Sequence, residues 1–152
     1  MRTVGILEFD SPERARESLE RLGPPAQTVV REVTRAMDFD RAEYRDRVDS
    51  AVVETAREAL FGSLLAVTVG TRAEYEEWRE AYEGIVHEAG SEHVEHVVWH
   101  AGPTGEAVAA TFQDEEAAAI ATLRRQAFGR LYRPLFETAG EDHPEPDARE
   151  DG

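Results

Sequence analysis

The chain, 152 residues long, contains no cysteine and no lysine. The first absence excludes a disulfide framework, a thiolate metal site and a cysteine nucleophile. The second makes all 17 basic residues arginine, against 32 acidic residues and a formal net charge of -15. No apolar run approaches the roughly 18 residues of a membrane span, and no charged-then-apolar segment stands at the N-terminus. A soluble, cytoplasmic protein with no membrane partner is therefore expected. A phosphate-tracking protein normally carries a basic stripe, so the acid excess argues against DNA. A Gly-rich phosphate loop, a nucleophile elbow and a paired-carboxylate motif of defined spacing are also missing, which leaves no catalytic residue and no cofactor to expect.

What is present is charge of one sign. Self-repulsion at this density destabilises a compact fold in ordinary buffer. At molar ionic strength the Debye length falls to roughly 3 Å, so neighbouring carboxylates barely repel while their hydration keeps the surface wetted. Arginine stays charged and pairs in bidentate fashion, whereas lysine is a compact charge on a flexible stem. Acidity with an all-arginine cation set points to a protein adapted to a salt-rich cytoplasm; a GC-rich genome gives the same arginine bias.

The length suits one domain able to bury a core without staples. Met1 to Phe9 reads as an edge strand or extended arm. Ser11 and Pro12 open a first helix, stopped by Gly23, that buries Ala15, Leu19 and Leu22. A second, from about Pro25, carries Ala26, Val29, Val30, Val33, Ala36 and Met37 at helical spacing, and a third, from about Asp49, carries Val52, Val53, Ala56, Ala59, Leu60 and Phe61. Leu64 to Val69 reads as a buried strand. Thr71 and Glu74 form a capping box that opens a helix to about Glu83, with Tyr75, Trp78 and Tyr82 on one face. Ile85 to Glu88 reads as a short strand, and the Gly102-Pro103-Thr104-Gly105 turn joins Val94–His100 to Glu106–Phe112 in a hairpin. Asp114 caps a long final helix that Pro134 kinks or ends.

Strand side chains alternate, so Val97 and Trp99 share one face of the hairpin and Val94, His96, Val98 and His100 the other. Neither face is polar, and both need cover: the late helices on one, the N-terminal helices or a second subunit on the other. His87, His93, His96 and His100 invite a metal reading, but residues four apart on a strand lie about 13 Å from each other, too far to share an ion, and no metal is expected. Asp38-Phe39-Asp40 with Asp46 and Asp49 has the acidity of a calcium loop without its glycine or its final glutamate, and reads as capping and surface.

The sharpest local anomaly is Ala117 to Phe136, which has no acid and four arginines. Ile120, Ala127, Leu131 and Leu135 form its core stripe, flanked by Leu123 and Phe128. Arg124 lies inside that stripe and calls for a buried ion pair with a carboxylate of the N-terminal helices. Arg125, Arg130 and Arg133 lie outside it and are candidates for gripping an anion or an acidic partner.

Three stretches resemble a family of small haloarchaeal proteins, a domain of unknown function: Leu22-Gly23-Pro24-Pro25-Ala26-Gln27-Thr28-Val29-Val30-Arg31-Glu32-Val33, then Ala36-Met37-Asp38-Phe39-Asp40, and Ala121-Thr122-Leu123-Arg124-Arg125-Gln126-Ala127-Phe128-Gly129-Arg130-Leu131-Tyr132-Arg133. The resemblance covers nearly the whole chain except the tail and implies a halophile but no activity. From Thr71 the order helix, strand, strand, strand, helix also resembles a double-stranded-RNA-binding domain. Where that family places docking lysines, this chain has Asp114-Glu115-Glu116, so the resemblance implies topology without the binding residues.

Together these readings predict an α+β domain over residues 1–137: a helical N-terminal part packed on a small, mainly antiparallel sheet, with a long C-terminal helix. A disordered acidic tail follows over 138–152. The expected function is a non-catalytic interaction module that self-associates or binds a protein partner. The alternative is a small ligand-binding protein or enzyme using His96 or His100 beside Trp99 and an arginine of the last helix. RNA or nucleotide binding through the arginine helix ranks last.

Overall fold

The structure, a computed structural model, describes residues 1–36 and 50–141. The acidic run from Asp38 to Asp49 and the tail beyond 141 lie outside the described residues. No helix among those described is long and apolar enough to cross a membrane.

The N-terminal stretch is an edge strand: β1 (Arg2–Val4) pairs antiparallel with β2 (Val67–Thr71), and Leu7 bridges to Leu65 beyond it. Ser11 caps α1 (Pro12–Arg21) by accepting from the Arg14 N–H at 3.2 Å. Gly23 was expected to stop this helix; Leu22 caps it instead, and α2 (Gly23–Ala36) begins on the glycine itself. α2 packs against α3 (Ser50–Ser63) and buries Ala26, Val30 and Thr34. Val29 and Val33 stay 44% and 50% exposed, so its buried stripe is narrower than the apolar spacing suggests.

The strand expected from Leu64 starts later. Leu64 and Leu65 make the turn out of α3, and β2 runs through Gly70 to Thr71. Thr71 is both the last strand residue and the N-cap of α4 (Arg72–Ala81): its Oγ1 accepts from the Glu74 N–H and its N–H donates to Oε1 of Glu74, closing the capping box. A strand that passes directly into a helix folds that helix back over its own sheet. The hairpin of β4 (His96–Ala101) and β5 (Glu106–Phe112) forms as expected, with His96 opposite Phe112. β3 (Ile85–Ala89) lies parallel to β5 at the far edge, giving the order β1-β2-β4-β5-β3, so β3, β4 and β5 are not a simple meander.

The two faces are covered differently from expectation. α1, the end of α3 and the C-terminal helices all pack on one face, around Phe61, Leu65, Val98, Val108, Leu123 and Tyr132. The other face is covered by α4 through Tyr75 and Trp78 over Val97, Trp99 and Ala109. The reason is the direct β2–α4 junction, which commits α4 to that face and leaves the remaining helices to share its opposite.

α5 (Glu116–Ala127) starts without a side-chain cap; Glu115, not Asp114, is its N-cap residue. It passes into a π-helical turn, Phe128–Tyr132, where the Arg133 N–H bonds to the Phe128 carbonyl, and then into α6 (Arg133–Glu141). Pro134 therefore neither ends nor simply kinks the helix. The wide turn shifts the register so that the residue without an N–H falls in the first turn of α6, where that loss is tolerated.

Candidate functional site

The histidines disperse. His93 is exposed, His96 is exposed and stacked on Phe112 with ring centroids 5.4 Å apart, and His87 Nε2 lies 2.8 Å from Oε1 of Glu106. His100 is buried at 3% exposure. Its Nδ1 is 2.5 Å from the Ala66 carbonyl, which can only accept, so Nδ1 carries the proton and Nε2 accepts from the Tyr132 hydroxyl at 2.6 Å. Burial holds the imidazole below its ordinary range and pushes the Tyr132 hydroxyl up. With both nitrogens engaged, this pair ties the sheet to the π-turn and has no valence left for a ligand. Trp99 lies on the opposite face under α4, so His96, Trp99 and His100 do not form the expected pocket. Among the described residues no three histidine, aspartate or glutamate side chains gather around a metal position.

The arginine helix is where side chains converge. Arg124 does not make the expected ion pair: among the described residues its partners are carbonyl oxygens, Nε to Leu65 at 2.9 Å and Nη2 to Val4 at 3.1 Å. The guanidinium thereby ties the end of β1 to the α3–β2 turn. Gly5, at φ +110°, makes room: a Cβ there would stand 2.8 Å from Nη2 of Arg124.

Arg124 also forms one wall of a cleft of about 470 Å³ between α3 and α5. Arg125 and Arg133 line the same cleft, with Ala59, Gly62, Ala121 and Phe128 as apolar surface and Glu58 at one side. Arg133 lies over the Phe128 ring at 5.1 Å, and Arg125 donates to Oγ1 of Thr122 at 3.2 Å. Arg130, the third expected member, is carried by the π-turn into a different cleft beside His87.

Sequence reasoning missed two arginines. Arg16 of α1 and Arg57 of α3 line a neighbouring cleft of about 290 Å³ that shares Arg133 with the first. Each has a buried Nε with no hydrogen-bond partner. Glu20, Glu54, Glu58 and Glu137 line the same cleft, yet among the described residues neither Arg16 nor Arg57 forms an ion pair. In sequence both look like ordinary polar helix positions, and no local signal distinguishes them. One face thus carries an arginine row, Arg16, Arg57, Arg133 and Arg125, beside an apolar cleft.

A family model described as a family of unknown function (DUF5809) matches residues 6–133. No curated protein and no solved structure matches the chain.

Proposed function

Because the chain belongs to DUF5809, a family of unknown function, its role has to be argued from its surface, and we propose a non-catalytic protein-interaction module of a salt-rich archaeal cytoplasm. Its arginine face binds an acidic, partly apolar segment of a partner protein. The observation that carries this reading is the convergence of Arg16, Arg57, Arg125 and Arg133 from α1, α3, α5 and α6, none of them ion-paired among the described residues. In a chain with 32 acids, an arginine left without a carboxylate is available to a carboxylate from elsewhere. Molar salt screens long-range attraction, so binding there rests on close bidentate contacts and apolar burial. The cleft supplies both, a guanidinium rim and the Phe128, Ala59 and Ala121 surface.

The test is light scattering coupled to size exclusion in molar KCl, on protein drawn from its own cells. Wild type is expected to elute above its 17.0 kDa monomer mass. The Arg125→Glu/Arg133→Glu variant returns to monomer with an unchanged melting temperature, because neither side chain anchors the fold. Arg124→Ala, by contrast, removes the two bonds that tie α5 to the Val4 and Leu65 carbonyls and costs about 2 kcal/mol of stability. A wild-type mass at 17.0 kDa with nothing attached overturns the reading. A whole multiple of that mass identifies the partner as a second copy.

A further inference from the structure

Arg130 and His87 meet at a site unrelated to the arginine face. A cleft of about 530 Å³ opens between β3 and the π-turn, lined by His87, Glu88, Ala89 and Val108 from the sheet and by Gln126, Gly129 and Arg130. The Glu88 carboxylate is itself engaged by the Tyr75 hydroxyl and Arg79. Glu106, a carboxylate, can only accept from His87 Nε2, so Nε2 carries a proton and, in the neutral imidazole, Nδ1 is an acceptor with no partner among the described residues. Glu106 thereby fixes the ring. Arg130 is exposed and forms no ion pair among the described residues. The backbone adds another acceptor. The Arg133 N–H reaches back to the Phe128 carbonyl, so in that register the Gly129 carbonyl faces Pro134, which has no N–H to give.

The cleft therefore combines a free guanidinium and a primary amide with two unfilled acceptors over a small apolar wall of Val108, Ala89 and Pro134. We infer that it binds a small aliphatic carboxylate with a hydrogen-bond donor on the adjacent carbon, an α-hydroxy or α-amino acid. Arg130 takes the carboxylate in bidentate fashion, and His87 Nδ1 and the Gly129 carbonyl accept from the hydroxyl or ammonium.

The test is NMR of the full chain in molar KCl, observing the His87 ring and the Arg130 side chain, with 2-hydroxyisovalerate, valine and isovalerate as separate probes. Saturable shifts at both residues are expected for the hydroxy acid or the amino acid, with a dissociation constant of about 1 mM or tighter. Whichever of the two binds identifies the donor. Isovalerate, which lacks it, binds at least about tenfold more weakly. Arg130→Gln, a change at an exposed position, weakens binding about tenfold, and His87→Phe removes the preference over isovalerate. No saturable shift with any probe overturns the inference, as does equal binding of all three or binding unchanged in Arg130→Gln.

Discussion

Replacing Phe61 with alanine is expected to cost about 4 kcal/mol, a large part of the stability of a domain this size. The ring is fully buried and stands where four parts of the chain meet. It stacks on Phe9 of the N-terminal arm at 5.6 Å and meets Phe128 and Tyr132 of the π-turn and Phe136 of α6 edge-on at 6.0, 5.1 and 5.3 Å. Truncation opens a cavity that no single neighbour can fill, since the surrounding rings are held by three separate parts of the chain, the N-terminal arm, the π-turn and α6. Denaturant unfolding in molar KCl measures it. A loss below about 1 kcal/mol, the range of a well-accommodated core substitution, would show that Phe61 is not the junction of the fold.

His100→Leu is expected to cost about 3 kcal/mol, because it leaves the Tyr132 hydroxyl and the Ala66 carbonyl buried without partners. The wild-type histidine also gives stability a pH dependence whose sign follows from its burial. Its folded-state value lies below the ordinary 6.5, so the unfolded chain takes up the proton first. Stability from this site is complete above about pH 6.5 and falls as pH drops below it, by at most about 1.4 kcal/mol per unit, until the folded value is passed. Glu74 acts lower. The Thr71 N–H and the N-terminal ammonium hold its carboxyl below the ordinary 4.5, so its contribution persists above 4.5 and is lost only at more acid pH. Among the described residues His100 is the group whose shift acts between pH 4.5 and 6.5, and the leucine variant is expected to lose that part of the slope. An unchanged slope in that variant would refute the assignment.

The elements easiest to read in the sequence are those written in neighbouring residues. The Thr71–Glu74 capping box, the hairpin around Gly102-Pro103-Thr104-Gly105 and the α+β class with its long final helix all follow from local patterns, and all are present. What the sequence did not disclose depends on pairings distant along the chain. Leu65 and Val4 offer carbonyls to Arg124 across 59 and 120 residues, and nothing near Arg124 marks them as its partners. The parallel placement of β3 beside β5 and the crowding of three helical groups on one sheet face are likewise set by the whole topology. The candidate site is divided in the same way. Arg125 and Arg133 stand out because their helix lacks acids, whereas Arg16 and Arg57 join them only once α1 and α3 are packed.

The claim that the arginine face receives an acidic, partly apolar segment is tested most directly by amide NMR of the full chain in molar KCl. The titrant is a short peptide in which glutamate alternates with leucine. Shifts are predicted along the α3 and α5 walls, at Thr55, Ala59, Gly62, Ala121, Arg125 and Phe128, and at Arg133, and the Arg125→Glu/Arg133→Glu variant is predicted to abolish them. Shifts that fall on other faces, or that survive in the double variant, would contradict it.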